Sequence, residues 1–524
     1  MKKLILLLAL ELPFGTVLRA ELKLPAIIGD HMVLQQKQSN PVWGWDDPGT
    51  KITVSFAGRD YSTTADADGK WIVRLAAQPA NSTPTSITIA GTSRREIQDV
   101  LIGEVWMCSG QSNMGFTLTQ DWNGGLEAAA SDLPGIRLIT APLVGTQELQ
   151  TDYKEGEASH WRLATPATAL RFSAIGFLYG RYLHQILHVP VGMINNAWGG
   201  SSAEAWVRRS SIEADPRFEL LMQQTTKREA QLQSEKGKAD FERAMVEWKT
   251  AAEKAQAEKT PPPRRPDDWL AGNHRPGNIF AGVVAPTLGY GIKGVIWYQG
   301  EANAGRAYEY KSLFPFLIEQ WRKEQGQGDF PFYWVQLADF NAEKPNPGES
   351  AWAELREAQT QTMKLSHTGQ AVIVDLGEGK DIHPRNKHDV AARLVRWALV
   401  NDYGMKLPYR SPEFKSMAVA GDRAAITFEM FGSSLRPFDV AEAKGFALCG
   451  VDRVWHWATA KVVGKDTVEV RSDEVAAPVA VRYAWADNPV FNLFSNDGLP
   501  VTPFRTDDYP MITAPKPGVG SSPK

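Results

Sequence analysis

Four short stretches of this 524-residue chain carry side chains that could make and break an ester bond. The first is Gly110-Gln111-Ser112-Asn113-Met114. It follows an apolar run from Val100 to Cys108 that breaks at Ser109-Gly110, as a buried strand does when it ends in a sharp turn. A hydroxyl just past such a turn can face a cleft, although Met114 stands where a Gly-x-Ser-x-Gly elbow has its second glycine. A serine hydroxyl is a poor nucleophile until a base takes its proton, and a histidine base needs an acceptor on its other ring nitrogen. Asp381-Ile382-His383-Pro384 offers both, on a loop after an apolar run and before a helical period starting near His388. The third requirement is a set of N–H donors around the oxyanion of a tetrahedral intermediate. Asn195-Asn196-Ala197-Trp198-Gly199-Gly200-Ser201 contains paired glycines that let backbone N–H groups approach a ligand closely. Trp297-Tyr298-Gln299-Gly300-Glu301-Ala302-Asn303 contains Gln299, whose side chain could donate to a developing oxyanion. Each stretch alone reads equally as a strand–helix turn; four of them after four apolar strands point to acyl transfer by an activated serine.

The elements that must position these residues follow from the hydrophobic pattern. Between about 100 and 404, short apolar strands alternate with helical periods, the signature of an α/β fold with a parallel sheet. The expected strands are Val100–Met107, Val191–Asn195, Gly294–Trp297, Phe332–Gln336 and Ala371–Val374. The expected helices are Phe172–Gln185, Tyr308–Glu324, Trp352–Leu365 and His388–Asp402. In such folds ligands bind outside the carboxyl ends of the strands. A charged helical insertion interrupts the alternation between 205 and 265: Phe241, Met245 and Trp248 form one stripe, and the run stops at Pro261-Pro262-Pro263. Residues 21–99 read as a small β-sandwich module, with strands around Lys51–Phe56, Trp71–Leu75 and Ser86–Ile89 separated by turns such as Asp47-Pro48-Gly49. Residues 405–512 return to β-rich character, and 513–524, rich in Pro, Gly and Ser, read as a disordered tail.

Composition bounds the function. Hydrophobic content of 43% and a formal net charge of −3 fit a globular protein and give no electrostatic case for nucleic acid. Lys2 and Lys3 followed by an apolar stretch from Leu4 to Leu10 and a small-residue end near Ala20 read as a secretory signal over 1–20, which implies a secreted or periplasmic protein; no later run has the length of a membrane span. The two cysteines, Cys108 and Cys449, read as buried free thiols, with a disulfide between them the alternative. No metal spacing and no phosphate-binding glycine loop occurs, so no cofactor is expected. The oligomeric state is not legible.

The four motifs together resemble the sialate O-acetylesterase family, within the SGNH-type carbohydrate esterases. The likeness extends to Met32-Val33-Leu34-Gln35 and Val42-Trp43-Gly44-Trp45 near the N-terminus and to Leu355-Arg356-Glu357-Ala358-Gln359 before the last sheet strand. It reaches Val481-Arg482-Tyr483-Ala484-Trp485 and Gly498-Leu499-Pro500 in the C-terminal module, with the charged insertion least matched. The resemblance implies an SGNH-hydrolase-like sheet with flanking helices, acting on O-acetylated carbohydrate through an acyl-enzyme on Ser112. His383 would be the general base and then the acid, and Asp381 its orienting acid. The backbone N–H groups of Ser112 and of Gly199 or Gly200, with the side chain of Gln299, would form the oxyanion hole; Asn303 is the alternative donor and Glu301 a neighbouring substrate-binding residue. The wider group's acid lies three residues before its histidine, where this chain has Lys380. Asp375, Glu378 or a Ser-His dyad therefore stand beside Asp381 as alternatives. Sialic acids and acetylated plant polysaccharides such as xylan are both open as substrates. A non-catalytic carbohydrate-binding surface protein is the rival reading.

Overall fold

A computed structural model of the chain describes residues 21–515. The expected signal sequence at 1–20 and the tail from 516 onward lie outside the described residues. The centre is a seven-stranded sheet of β1 (Arg94–Gly110), β2 (Leu133–Thr140), β3 (Arg162–Ala164), β4 (Val191–Asn195), β5 (Gly294–Tyr298), β6 (Phe332–Val335) and β7 (Thr368–Ala371). Its spatial order is β7-β6-β5-β1-β4-β2-β3. All neighbours run parallel except β3, which pairs antiparallel with β2 at one edge. The fold is therefore α/β with a mixed sheet, not a purely parallel one.

β1 occupies the middle because it is apolar on both faces: every residue from Val100 to Gly110 is buried, as a strand covered by helices on two sides requires. Trp106 lies in register with Gly294, so its side chain points away from the face that takes Trp297. On Trp106's side stands α1 (Ala174–Leu187), whose Tyr179 meets the Trp106 ring edge-on with centroids 5.2 Å apart. On the other side stands α4 (Ala307–Gln325), whose Trp321 meets Trp297 at 5.9 Å. Between these two in the chain come α2 (Glu219–Gln233) and α3 (Glu235–Ala257). After them come α5 (Ala351–Gln361) and α6 (Lys387–Asn401), the latter packed on α1. Ser173 caps α1 by accepting from the Gly176 N–H at 3.0 Å, and Asn386 caps α6 by accepting from Asp389 N–H at 3.1 Å. These caps set where the loops at the carboxyl ends of the strands stop.

Several sequence-based boundaries shift. The expected division at 99/100 falls inside β1, which begins paired antiparallel with Asn81–Ala90 and ends in the central sheet, so the N-terminal strands are continuous with it. The last sheet strand is Thr368–Ala371, not 371–374, because residues 372–374 have already left the ladder. β2 was not expected: Pro134 and Gly135 at its start and Arg137 within it break the apolar pattern. The Arg137 guanidinium is absorbed by the Asp99 carboxylate at 2.6 and 3.1 Å. The insertion is helical as expected, two helices joined at Ser234, with Phe241, Met245 and Trp248 half-buried along one stripe. Trp248 donates its indole N–H to the Pro263 carbonyl at 2.9 Å, tying the returning proline run to α3.

Past α6 the chain forms two four-stranded antiparallel sheets and one two-stranded one around a separate cluster that includes Phe428, Phe446, Val468 and Tyr483. Residues expected to begin the tail are anchored: Thr513 Oγ1 donates to Glu354 at 2.6 Å and accepts from the Tyr308 N–H at 3.0 Å. Cys108 and Cys449 are both free and buried. No helix among the described residues is long and apolar enough to cross a membrane.

Candidate active site

β1 and its neighbours β4 and β5 end side by side, and their loops meet at Ser112. The approach is close because Gly110, at φ 128°, has no side chain: a Cβ there would lie 2.1 Å from the Tyr298 carbonyl oxygen. Gln111 N–H then donates to that carbonyl at 2.8 Å, and Trp198 N–H donates to Gly110 O at 2.9 Å. Three strand ends are thereby bonded to one another before any side chain is counted. Ser112 opens a one-turn helix, Ser112–Gly115. His383, on the loop between β7 and α6, brings Nε2 to 2.8 Å from Ser112 Oγ, within reach for proton transfer. The Phe116 ring stacks beside the imidazole, centroids 6.4 Å apart at 24°.

The acid partner is arranged differently from a buried triad. Asp381 Oδ1 accepts the main-chain N–H of His383 at 2.9 Å and stands 3.5 Å from Nδ1, with its side chain 56% exposed. Asp375 is taken by Arg393, which donates to both its oxygens at 2.5 and 2.7 Å. Glu378 accepts the Arg385 N–H at 2.8 Å. Of the three acids Asp381 is the one in contact with His383.

On the opposite side, Gly199 lies against the nucleophile: a Cβ there would sit 3.4 Å from Ser112 Cβ. Asn273 donates to the Gly199 carbonyl at 2.5 Å, so the Gly200 N–H at the other end of that trans peptide points away from Asn273. Gly200 takes φ 70°, the left-handed conformation glycine favours.

Two expected oxyanion donors are not available. Gln299 is fully buried, and its Nε2 donates to Ser201 O at 3.1 Å and Asn303 Oδ1 at 2.7 Å, while its Oε1 accepts from the Tyr310 hydroxyl at 3.0 Å. Both amide hydrogens are spent. Asn303 is also buried; its Oδ1 takes the Ala203 N–H at 2.9 Å and its Nδ2 donates to Glu204 at 3.0 Å. These amides brace the loop after β4 against the loop after β5. Position after a strand end suggested a donor; only the packed loops show that the donor is consumed inside the protein. Glu301, expected to face substrate, instead accepts from Asn113 Nδ2 at 2.6 Å; its Oε2 is buried without a partner, and burial raises its carboxyl above the usual range.

Lys387 was not expected at the site. Its side chain is fully buried, donates to Asn113 Oδ1 at 2.6 Å, and lies 4.5 Å from the Phe116 ring centroid. Burial pulls its ammonium down to about 7, against the opposing pull of the Glu301 and Asp121 carboxylates. A lysine in a helix's first turn carries no mark of burial in its pattern. Equally unmarked is a cleft of about 420 Å³ walled by Ser202, Ala302 and Arg306 from the strand-end loops, Arg228 of α2, and Trp269 and His274 of the returning segment. His274 follows Asn273 in the chain, so the cleft begins one residue from the contact on Gly199.

The family model "carbohydrate esterase, sialic acid-specific acetylesterase" matches residues 268–392, which hold the Gln299 and His383 loops. A carbohydrate acetylesterase from Xanthomonas citri is 37% identical, with a TM-score of 0.78, over 93% of this chain and all of that one. The chain belongs to the sialate O-acetylesterase family. The sialate O-acetylesterase of Mus musculus is 29% identical over 510 residues, 88% of this chain and 89% of that protein; that of Homo sapiens is 26% identical over 509 residues. Membership makes the protein a carboxylic ester hydrolase of the carbohydrate acetylesterase kind, and the likeness to the Xanthomonas citri enzyme spans the N-terminal strands, central sheet and C-terminal sheets.

Proposed function

We propose that the protein removes O-acetyl groups from sialic acids or related acetylated glycans through an acyl-enzyme on Ser112. The observation that carries this reading is the 2.8 Å contact between Ser112 Oγ and His383 Nε2 at the ends of the central strands. Oγ attacks the acetyl carbonyl as His383 takes its proton. The tetrahedral oxyanion is met by the backbone N–H groups of Ser112 and of Gly199 or Gly200. His383 returns the proton to the departing sugar oxygen, leaving acetyl-Ser112. Water then attacks the acetyl carbon, giving its proton to His383, which passes it to Ser112 Oγ as the acyl bond breaks and acetate is released. The cleft beside Gly199 would take the sugar, since its walls offer both donors and acceptors to hydroxyl groups. With the expected N-terminal signal, the reaction would occur outside the cytoplasm.

Acetate release from a panel of O-acetylated sialic acids, acetylated xylo-oligosaccharides and acetylated pectins tests the reading. Preferred release from sialic acids is expected; turnover only on the plant glycans reassigns the substrate. The insertion is tested on the same panel: replacing 217–259 by a short Gly/Ser linker should raise KM for an oligosaccharide more than for a small aryl acetate, and equal losses on both would assign α2 and α3 to the fold alone.

A further inference from the structure

Asn113, Glu301 and Lys387 form a buried polar cluster beside the nucleophile that none of the steps above uses. Asn113 donates from Nδ2 to Glu301 Oε1 at 2.6 Å and to the main-chain carbonyl of Ile382 at 2.9 Å, and accepts at Oδ1 from Lys387 Nζ at 2.6 Å. A main-chain carbonyl only accepts, so the Ile382 contact fixes which end of the amide is Nδ2. Lys387 is held in turn by its own N–H, which donates to Asp121 Oδ2 at 3.0 Å, and by the Phe116 and Tyr298 rings at 4.5 and 5.6 Å. The carboxylates of Glu301, Asp121, Glu378 and Asp381 face its charge. The three residues come from the loop after β1, the loop after β5 and the start of α6.

What they hold is the peptide unit between Ile382 and His383. Its carbonyl is bonded to Asn113, and its N–H is bonded to Asp381 Oδ1 at 2.9 Å. A peptide is planar, so fixing both polar ends fixes its orientation and the direction in which His383 leaves the backbone. Asn113 is also the residue next to Ser112. Nucleophile and base are thus tied to each other through one amide.

We propose that Asn113, braced by Lys387 and Glu301, is a positioning residue that sets the His383 imidazole on the Ser112 hydroxyl through the backbone. This takes over much of the orienting role that a carboxylate hydrogen-bonded to Nδ1 has in a buried triad, where Asp381 here stands at 3.5 Å. The inference rests on the Ser112–His383 reading. Its physical support is that a low-polarity site charges heavily for ionised groups: burial lowers the Lys387 ammonium and raises the Glu301 carboxyl, yet both surround one amide.

Asn113→Asp tests it. This isosteric change keeps the acceptor for Lys387 and removes both Nδ2 donors. kcat on a small aryl acetate should fall by about 10²-fold, the scale of a misplaced reacting group, with KM little changed. Phosphonylation of Ser112 by a fluorophosphonate, which also needs the base, should slow in parallel. Adding Glu301→Gln in the same chain restores a hydrogen bond between positions 113 and 301 with the donor reversed, yet leaves the Ile382 carbonyl without one; this double variant should stay slow. Recovery in the double variant, or a near-normal kcat in Asn113→Asp, overturns the proposal. If the new charge unfolds the chain, Asn113→Ser carries the same kcat and KM comparison with no added charge and is read by the same criteria. His383→Ala in parallel separates the two failures: an inactive His383→Ala with normal Asn113 variants sinks the positioning role alone, and an active His383→Ala sinks the Ser112–His383 reading itself.

Discussion

The two sides of Ser112 are built in opposite ways. On the base side, His383 sits on a loop at the surface, its side chain 37% exposed and Asp381 more so, and its geometry depends on a few bonds to the main chain. On the glycine side, Gln299 and Asn303 are buried and lock the loops after β4 and β5 to each other, with each named polar atom bonded. An exposed base can exchange protons with solvent and reach an incoming water, whereas donors for an oxyanion must be held rigid before the charge develops. The difference teaches that a polar residue after a strand end serves the reaction only if its hydrogens remain unspent.

This contrast can be broken at several points. The largest effect is expected at the nucleophile: Ser112→Ala should lower kcat by up to about 10⁶-fold, with circular dichroism and the thermal midpoint unchanged. Turnover near the wild-type rate would remove Ser112 from the chemistry. Next comes the acid. Asp381→Asn retains an acceptor for the His383 N–H and loses charge only at an exposed position, so a loss in kcat of about 10- to 100-fold is expected, below the roughly 10⁴-fold for a buried orienting acid. Asp375→Asn, by weakening the Arg393 pair, should lower the thermal midpoint and leave kcat near normal; the reverse result for the two variants would move the acid to Asp375.

Gln299→Ala sharpens the glycine side. It takes the side-chain partner from Ser201 O and the Tyr310 hydroxyl, while Asn303 Oδ1 keeps the Ala203 N–H, and a buried group left unpaired costs about 1–3 kcal/mol. Urea unfolding should therefore show the loss, with kcat per folded molecule falling less than the 10²–10³-fold typical of a lost oxyanion donor. Full stability with a collapsed kcat would restore Gln299 as a donor.

The smallest effect is a pH slope. The folded Lys387 ammonium is lowered to about 7 from its ordinary 10.5, so between those values the unfolded chain binds the proton and the folded chain does not. Stability contributed through Lys387 therefore rises with pH across that window, by at most about 1.4 kcal/mol per pH unit. The penalty for burying its charge is fully present below pH 7. Wild type should gain on Lys387→Met between about pH 7.5 and about pH 9 in urea titrations; a constant difference would show that Lys387 keeps its ordinary affinity.

The sequence by itself determined the α/β alternation, the strand ends that bear Ser112, Gly199 and Gln299, the helical insertion and the family. These are legible because burial periodicity and turn chemistry are local: an apolar run such as 100–108 followed by Ser-Gly is written in consecutive residues. Only the tertiary structure decided that β1 runs unbroken from the N-terminal strands into the central sheet, that Leu133–Thr140 is a strand, that Gln299 is a brace, and that Lys387 lies under the site. The last three depend on partners distant in the chain: Asp99 for Arg137, Ser201 for Gln299 and Asn113 for Lys387, separated by 38, 98 and 274 residues. Even Asn303, a nearby partner of Gln299, has its amide oriented by Ala203 and Glu204, 100 and 99 residues earlier. A side chain's type states what it can donate or accept; which partner takes that capacity is settled when the loops pack.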